Sequence, residues 1–430
     1  MTHVVVIGGG PAGSTVARRL ALAGIAVTHC VARAAGGQEG LSRRTVALLR
    51  EEGVDGLPGI LTGPVPRSGQ WGDGRSVAGE EWLVDRQRLA CLLQDAAARA
   101  GAVRCEDAVE AIGGEYPAFA LRLRSGTSLQ ATCVVDARGR RGPECHGPTL
   151  LALGQAFRRA RPLPAATEIH PLSWGWCWMV TIGPAFWVQL ASVPGDHHPQ
   201  HWLARAARDL PSLASALDGA VPTGESVARP SHARRGAGTA RHGLIPAGDA
   251  AVALDPLSGQ GVYEALRGAR VAAAAVRSLL EGADAALVTR FLVERDDALW
   301  QRSVSMAADF YDENAALGAF WTDTAAAYRT LVRAPSATPT AILRRPVLDG
   351  DRICEQDVLV TAAQPRGVWQ VSGVPIVSLI HYIERVGDAT PGAAATELAR
   401  PEAAVVAAAR WLREVGAWPA RASRVTAAGG

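Results

Sequence analysis

Apolar residues in this 430-residue chain fall into short unbroken runs, alternating stretches and longer segments with helical spacing. Val4 to Ile7 form an unbroken run rich in β-branched side chains, which predicts a strand buried on both faces. Ser14 to Ala23 follow with helical spacing and stop at Gly24. AVTHCVAR, from Ala26, predicts the next strand. Far downstream, Leu244 to Ala247 predict a short strand, and a helix opens near Val262. Strands alternating with helices predict an α/β fold with a parallel, Rossmann-type sheet.

The middle of the chain has a different period. SWGWCWMV, Ser173 to Val180, places Trp174, Trp176 and Trp178 at every second position, and AFWVQLASV, Ala185 to Val193, also alternates. In a strand, alternate residues share a face, so three indole rings are expected on one side of a sheet. That face meets either a packed helix or a ligand. Asp296 to Trp321 predict one long helix. Pro401 opens an amphipathic helix with Val405, Ala408, Trp411 and Leu412 on one face, expected to pack internally. The expected organisation is a discontinuous Rossmann-type domain (1–150 and 236–285), an inserted, mainly β substrate-side domain (151–235) and a mainly helical C-terminal region (286–430). PSATPT, Pro335 to Thr340, reads as a linker.

The glycines after the first strand carry the first chemical signal. Gly8, Gly10 and Gly13 match G-x-G-x-x-G, with Pro11 and Ala12 inside the motif, between a strand and a helix as the motif requires. The first glycine permits a tight turn, the second lets a pyrophosphate approach the backbone, and the third lets helix and strand pack closely. The helix N-terminus then offers free N–H groups to the phosphates. The acid usual about 20 residues on, which holds a ribose, is missing near Val31; His29 and Arg33 are the nearby polar alternatives.

The second signal is GLIPAGDAAVALDPLSGQGVYEALRGAR, residues 243–270. With the glycine motif it resembles the flavoprotein monooxygenase superfamily, which includes aromatic hydroxylases, flavin-dependent halogenases and isoprenoid reductases. The resemblance implies FAD as cofactor. It implies that Gly248 and Asp249 meet the ribityl and pyrophosphate portion, and that the loop of Asp255, Pro256, Gly259, Gln260 and Gly261 lays N–H groups and a helix N-terminus on the flavin pyrimidine edge. A positive helix end there stabilises the negative charge of reduced flavin. WLVDRQRLACLLQDAA, Trp82 to Ala97, resembles the superfamily's DR-x-x-L helix and puts Arg86 near the cofactor. CVVDARGRRG, Cys133 to Gly142, resembles the strand and turn that close the FAD domain.

Within that superfamily, halogenases carry W-x-W-x-I-P. Trp176, Trp178 and Val180 keep the spacing, but Val180-Thr181 replaces Ile-Pro. Halogenases also deliver halogen through a lysine, and this chain contains no lysine at all, so that mechanism is excluded. Oxygen transfer remains, and it needs a site that sheds water. Trp176 and Trp178 are expected to bind an aromatic substrate there. The C-terminal third, including Arg344 to Val386, is similar to the flavoproteins that mature quinone-containing amine dehydrogenases. That resemblance implies hydroxylation of a tryptophan in the small subunit of a quinohemoprotein amine dehydrogenase, on the way to cysteine tryptophylquinone. O₂ would be co-substrate, with NAD(P)H or a separate reductase supplying electrons. No catalytic acid or base is assigned. A hydroxylase of a small aromatic metabolite, a flavin-dependent reductase and a non-catalytic maturation scaffold remain the alternatives.

Composition limits the remaining options. Charge is nearly balanced, 44 basic against 41 acidic residues for a net +3, so no nucleic-acid partner is expected. Seven scattered cysteines without a CxxC pair fit free thiols in a reducing cytoplasm. No signal peptide and no membrane span are expected, since no apolar run approaches about 18 residues. DHHPQH clusters Asp196, His197, His198 and His201 but reads as a loop, and no metal is expected. ARPSHARRGAGTARHG, Ala228 to Gly243, is a basic stretch that reads as a solvated loop or an anion contact.

Overall fold

The computed structural model of the chain describes residues 3–32, 36–72, 74–141, 147–195, 199–236, 240–334, 339–387 and 389–418. They form two compact units, Met1–Ala285 with Arg295–Arg333, and Ala286–Glu294 with Ala334–Gly430.

The first unit is α/β and centres on a five-stranded, all-parallel sheet. Its order is Leu244–Pro246, Cys133–Asp136, His3–Ile7, Ala26–Cys30 and Val103–Cys105. Val4, Val5 and Val6 are fully buried, as a run apolar on both faces requires. Helices Pro11–Leu22 and Gly261–Leu280 pack against each other beside this sheet. Helix Arg86–Arg99 is started by Asp85, whose carboxylate accepts from the Arg88 amide at 2.8 Å. A three-stranded antiparallel sheet, Val109–Glu115, Ala118–Leu123 and Ser128–Ala131, completes this half.

A second, six-stranded sheet extends well beyond the 151–235 excursion. Its order is Gly175–Ser192, Leu151–Leu172, Leu61–Trp71, Arg75–Asp85 and Gln38–Leu41, with Ala220–Pro230 also paired on Leu151–Leu172. Three of its six strands therefore come from the first 85 residues. The long helix expected over 296–321 is two helices, Ala285–Asp312 and Ala319–Arg329. Gly318, at φ +136°, breaks the run where a residue with a side chain would be strained.

The second unit is less helical than its sequence suggests. Ala341–Asp349, Arg352–Thr361 and Gln364–Val368 form an antiparallel sheet, followed by helices Ile376–Val386, Pro391–Leu398 and Glu402–Glu414. Val405, Ala408 and Leu412 of the last helix are buried in this unit's own core, so that face packs internally as expected. The unit boundary at Arg333 and Ala334 falls beside the expected linker, of which residues 335–338 lie outside the described residues.

Candidate flavin and aromatic-substrate site

The glycine loop follows its steric logic residue by residue. Gly8 has φ +119°, and its amide donates to the Cys30 carbonyl at 2.8 Å, tying the loop to the neighbouring strand. A Cβ on Gly8 would collide with the Ala137 carbonyl, and one on Gly13 with the Gly8 carbonyl. Gly10 differs: its backbone is ordinary extended chain, and a Cβ there would meet nothing within 4 Å. That open space lies where Pro11 starts the helix and no side chain caps its N–H groups. His29 occupies the place of the missing acid, but its Nε2 bonds the Gly8 carbonyl at 3.0 Å. Burial lowers its pKa, so a neutral ring donating from Nε2 fits this contact, and His29 serves the loop rather than a ribose. Arg33 lies outside the described residues.

The second loop faces the first. Gly248, at φ +61°, leaves no room for a Cβ against the Ala12 side chain, so the glycine-aspartate turn sits directly on the start of the first helix. Asp249 is about one-third exposed, and its Oδ2 lies 3.3 Å from Arg140 Nε. Arg140 belongs to the Cys133–Gly142 segment, and its other nitrogens hold the His232 and Leu254 carbonyls at 2.5 and 2.7 Å. In the same segment Arg138 makes a two-point pair with Asp136, at 2.9 and 2.6 Å. Arg86 pairs with Glu39, lies within electrostatic reach of Asp249, and donates its amide to the Gly37 carbonyl at 2.9 Å. The structure thus gathers Gly8, Gly10, Pro11, Ala12, Gly13, Arg86, Gly248 and Asp249 from three distant stretches.

Asp255 anchors the remaining stretch. It is buried, and its Oδ1 accepts from the Leu257 amide at 3.0 Å. Oδ2 accepts from the hydroxyls of Tyr328 at 2.7 Å and Tyr311 at 3.2 Å. Burial pushes the Asp255 pKa up to about 6 despite these bonds, and the two tyrosine hydroxyls are pushed well above their ordinary value by burial and by the carboxyl. Pro256 then begins a single 3₁₀ turn that Gly259 closes at φ +60°. Gln260 leads into helix Gly261–Leu280, whose N-terminus also lacks a side-chain cap. A Cβ at Gly259 or Gly261 would meet nothing within 4 Å.

These features fit FAD. Two uncapped helix starts, three glycines bordering open space and a partly exposed aspartate suit a ligand with a pyrophosphate and an electron-accepting ring edge. Asp249→Ala is expected to weaken FAD retention about tenfold or more, the scale of one hydrogen bond to a charged group. The bound-flavin ratio of the purified variant measures this; full occupancy would refute the assignment of Asp249.

The tryptophan stretch divides between two faces. Trp176 and Trp178 project from strand Gly175–Ser192 on one side, but Trp174 precedes the strand in the turn and packs on the other side. There its Nε1 donates to Asp209 at 3.0 Å, and Trp202 meets it edge-on at 5.9 Å. The three-ring wall is therefore two rings, because strand alternation does not extend through the turn. Trp176 is buried among Trp71, Tyr311, Trp321 and Tyr328 as part of the core. Trp178 is only partly buried and packs on two clusters, the second containing Val65, Leu83, Val180 and Trp187.

Several residues of this face were not singled out in the sequence. The Trp187 ring stands 3.5 Å from where a Cβ of Gly37 would be. Glu81 is buried on the same face, bonded to the Thr167 hydroxyl. Alternation in EEWLVD supplied a signal for it, since Glu81 falls in phase with core residue Leu83. In the basic stretch from Ala228, three arginines are held by the protein itself, while Arg241 is exposed and residues 237–239 lie outside the described residues. Arg229 donates to the Gly36 carbonyl, Arg234 to the Arg140 carbonyl, and Arg235 pairs with Asp297 at 2.6 Å.

Among the described residues no group of three His, Cys, Asp or Glu side chains could hold a metal, and no helix is long and apolar enough to cross a membrane. Asp196, His197 and His198 lie outside the described residues. Cys30, Cys91, Cys105, Cys133, Cys177 and Cys354 are free.

No protein-family model and no curated protein matches the sequence. Solved structures do match. The peptidyl tryptophan dihydroxylase QhpG, essential for tryptophylquinone cofactor biogenesis, superposes with a TM-score of 0.78 at 29% identity, over 96% of this chain and 99% of that one. The flavin-dependent halogenase CmlS gives 0.71 at 18%, over 96% and 95%. The p-nitrophenol 4-monooxygenase PnpA from Pseudomonas putida DLL-E4 gives 0.57 at 20%, over 73% and 89%. The last two share the fold alone. With both glycine loops, Arg86 and the closing arginine turn drawn into one cradle, and with this likeness over nearly its whole length, the chain has the fold shared by FAD-dependent monooxygenases and flavin-dependent halogenases.

Proposed function

We propose that this protein hydroxylates an aromatic ring, specifically a tryptophan side chain of a partner polypeptide, during maturation of a quinone cofactor of the cysteine tryptophylquinone type. The observation that carries this is the end-to-end similarity to a peptidyl tryptophan dihydroxylase, including the second unit. The partner of that kind is the small subunit of a quinohemoprotein amine dehydrogenase. O₂ is the co-substrate, and NAD(P)H or a separate reductase is the electron source.

Reduced FAD, when bound, supplies the electrons and the activation of O₂ that turn one oxygen atom into an electrophile. This chain's residues do the rest. Gly10 and the first helix N-terminus receive the pyrophosphate, with Gly13 giving the close packing behind it. Asp249 takes the ribityl hydroxyls, and Arg86 adds positive charge alongside. Pro256, Gly259, Gln260 and Gly261 present N–H groups and a helix N-terminus to the ring edge that gains negative charge. Trp178, backed by Trp176, offers a flat apolar surface that stacks an indole and excludes water. The absence of lysine excludes halogen delivery through a lysine amine.

The deciding experiment incubates the candidate small subunit with this protein, FAD, NAD(P)H and air, and follows intact mass. A gain of one or two oxygen atoms on a tryptophan is expected. No gain, with a reducible flavin present, overturns the peptide substrate and directs the search to small aromatic molecules.

A further inference from the structure

We propose that the Glu81 carboxyl group accepts the ring N–H of the aromatic substrate and thereby selects an indole, or a similar N–H heteroaromatic, over a plain benzenoid ring. This rests on the aromatic-hydroxylase reading above and names the group that would enforce its substrate class.

Glu81 is 8% exposed. Its Oε1 accepts from the hydroxyl of Thr167, a fully buried residue on the strand Leu151–Leu172. Among the described residues no hydrogen bond reaches Oε2, and no basic side chain pairs with Glu81. Oε2 is not among the fully buried atoms that lack a partner, so it stays open to a donor arriving from solvent. The surroundings indicate which donor is missing. Gly40 lies against Oε2, where a Cβ would collide with it, and the same Cβ would stand 3.3 Å from the edge of the Trp178 ring. The free oxygen and the edge of the half-buried indole thus lie close together over Gly40, whose missing side chain makes room for the carboxyl group. Leu83, Val65, Val180 and Trp187 make the rest of this face apolar. Among the described residues no group of three His, Cys, Asp or Glu side chains is present here to hold a small cation. A flat ring with a single N–H would stack on Trp178 and end on Oε2. Thr167 fixes the rotation of the carboxyl group, so the acceptor is held in place before the ligand arrives. An N–H held by a carboxylate also makes the ring more electron-rich, which suits attack on electrophilic oxygen.

The test measures binding of two probes, 3-methylindole and 1,3-dimethylindole, to the FAD-loaded protein by calorimetry. The wild type is expected to favour the N–H probe by about tenfold or more, the scale of one hydrogen bond to a charged group. Glu81→Gln, with unchanged FAD content and circular dichroism, is expected to cut that preference below about threefold, and Thr167→Val to reduce it partway. Equal affinity for the two probes in the wild type overturns the proposal, as does a preference that survives intact in Glu81→Gln. If Glu81→Gln does not fold, an undiminished preference in Thr167→Val overturns it. A wild type that prefers the N–H probe but oxygenates no tryptophan peptide retires the peptide substrate and keeps this assignment. A wild type that oxygenates the peptide without preferring the N–H probe does the reverse.

Discussion

Gly13→Ala is expected to yield a protein that is both less stable and nearly free of FAD, whereas Gly10→Ala is expected to lose FAD alone. The two glycines differ in what surrounds them. A methyl at Gly13 meets the backbone carbonyl of Gly8, an atom that cannot move without reshaping the turn around its positive φ. Inserting a methyl where packing leaves no room costs about 1–3 kcal/mol. A methyl at Gly10 meets nothing, and its backbone is already in a conformation any residue adopts. It would instead stand where the pyrophosphate must approach. Thermal unfolding of the apoproteins, paired with flavin occupancy, separates the two effects. Equal destabilisation by both substitutions would remove the distinction between packing glycine and ligand glycine.

The second large effect concerns pH. Asp255 has a folded-state pKa of about 6 against an ordinary 3.8, raised by burial. The folded protein therefore holds this proton more tightly than the unfolded chain. The resulting stability is fully present below about pH 4 and is lost as pH rises through about 6. A shift of about two units corresponds to about 3 kcal/mol across that window. Asp255→Asn cannot titrate. The difference in unfolding free energy, wild type minus variant, should fall by about that amount between pH 4 and 7, other groups cancelling in the subtraction. Urea titrations at several pH values provide it, and a flat difference would show that Asp255 keeps an ordinary carboxyl pKa. Asp255→Ala should be worse than Asp255→Asn at every pH, because it leaves the Tyr311 and Tyr328 hydroxyls buried without their acceptor.

The cofactor cradle was readable from sequence because its demands are local. A turn at φ +119° or a helix packed onto a carbonyl requires glycine whatever the rest of the chain does, so Gly8 and Gly13 declare themselves. Asp255 could be found in the same way, but its partners could not. Tyr311 and Tyr328 follow it by 56 and 73 residues, and only tertiary packing brings them back. The tryptophans misled where a period was extended through a turn: Ser173 and Trp174 lie outside the strand. Glu81 escaped because an acid beside Glu80 reads as solvent-facing, although its phase with Leu83 placed it inside. The sheet of the second unit carried its own signal. Gly350-Asp351 between two apolar runs is a two-residue hairpin loop, and Gly350 takes φ +56°.

The two helix starts that form the cradle, at Pro11 and Gly261, stand about 250 residues apart in the chain. During synthesis at about 5–20 residues per second, the first waits roughly 12–50 seconds for the second. The central strand can pair early with Ala26–Cys30, but the edge strand Leu244–Pro246 reaches the sheet only near the end of that interval. A ribosome-bound chain thus exposes a finished glycine loop long before it can grip a flavin. Cofactor supply bears on the last two-fifths of translation, and chains released into flavin-poor cells would be held together at this seam by protein contacts alone.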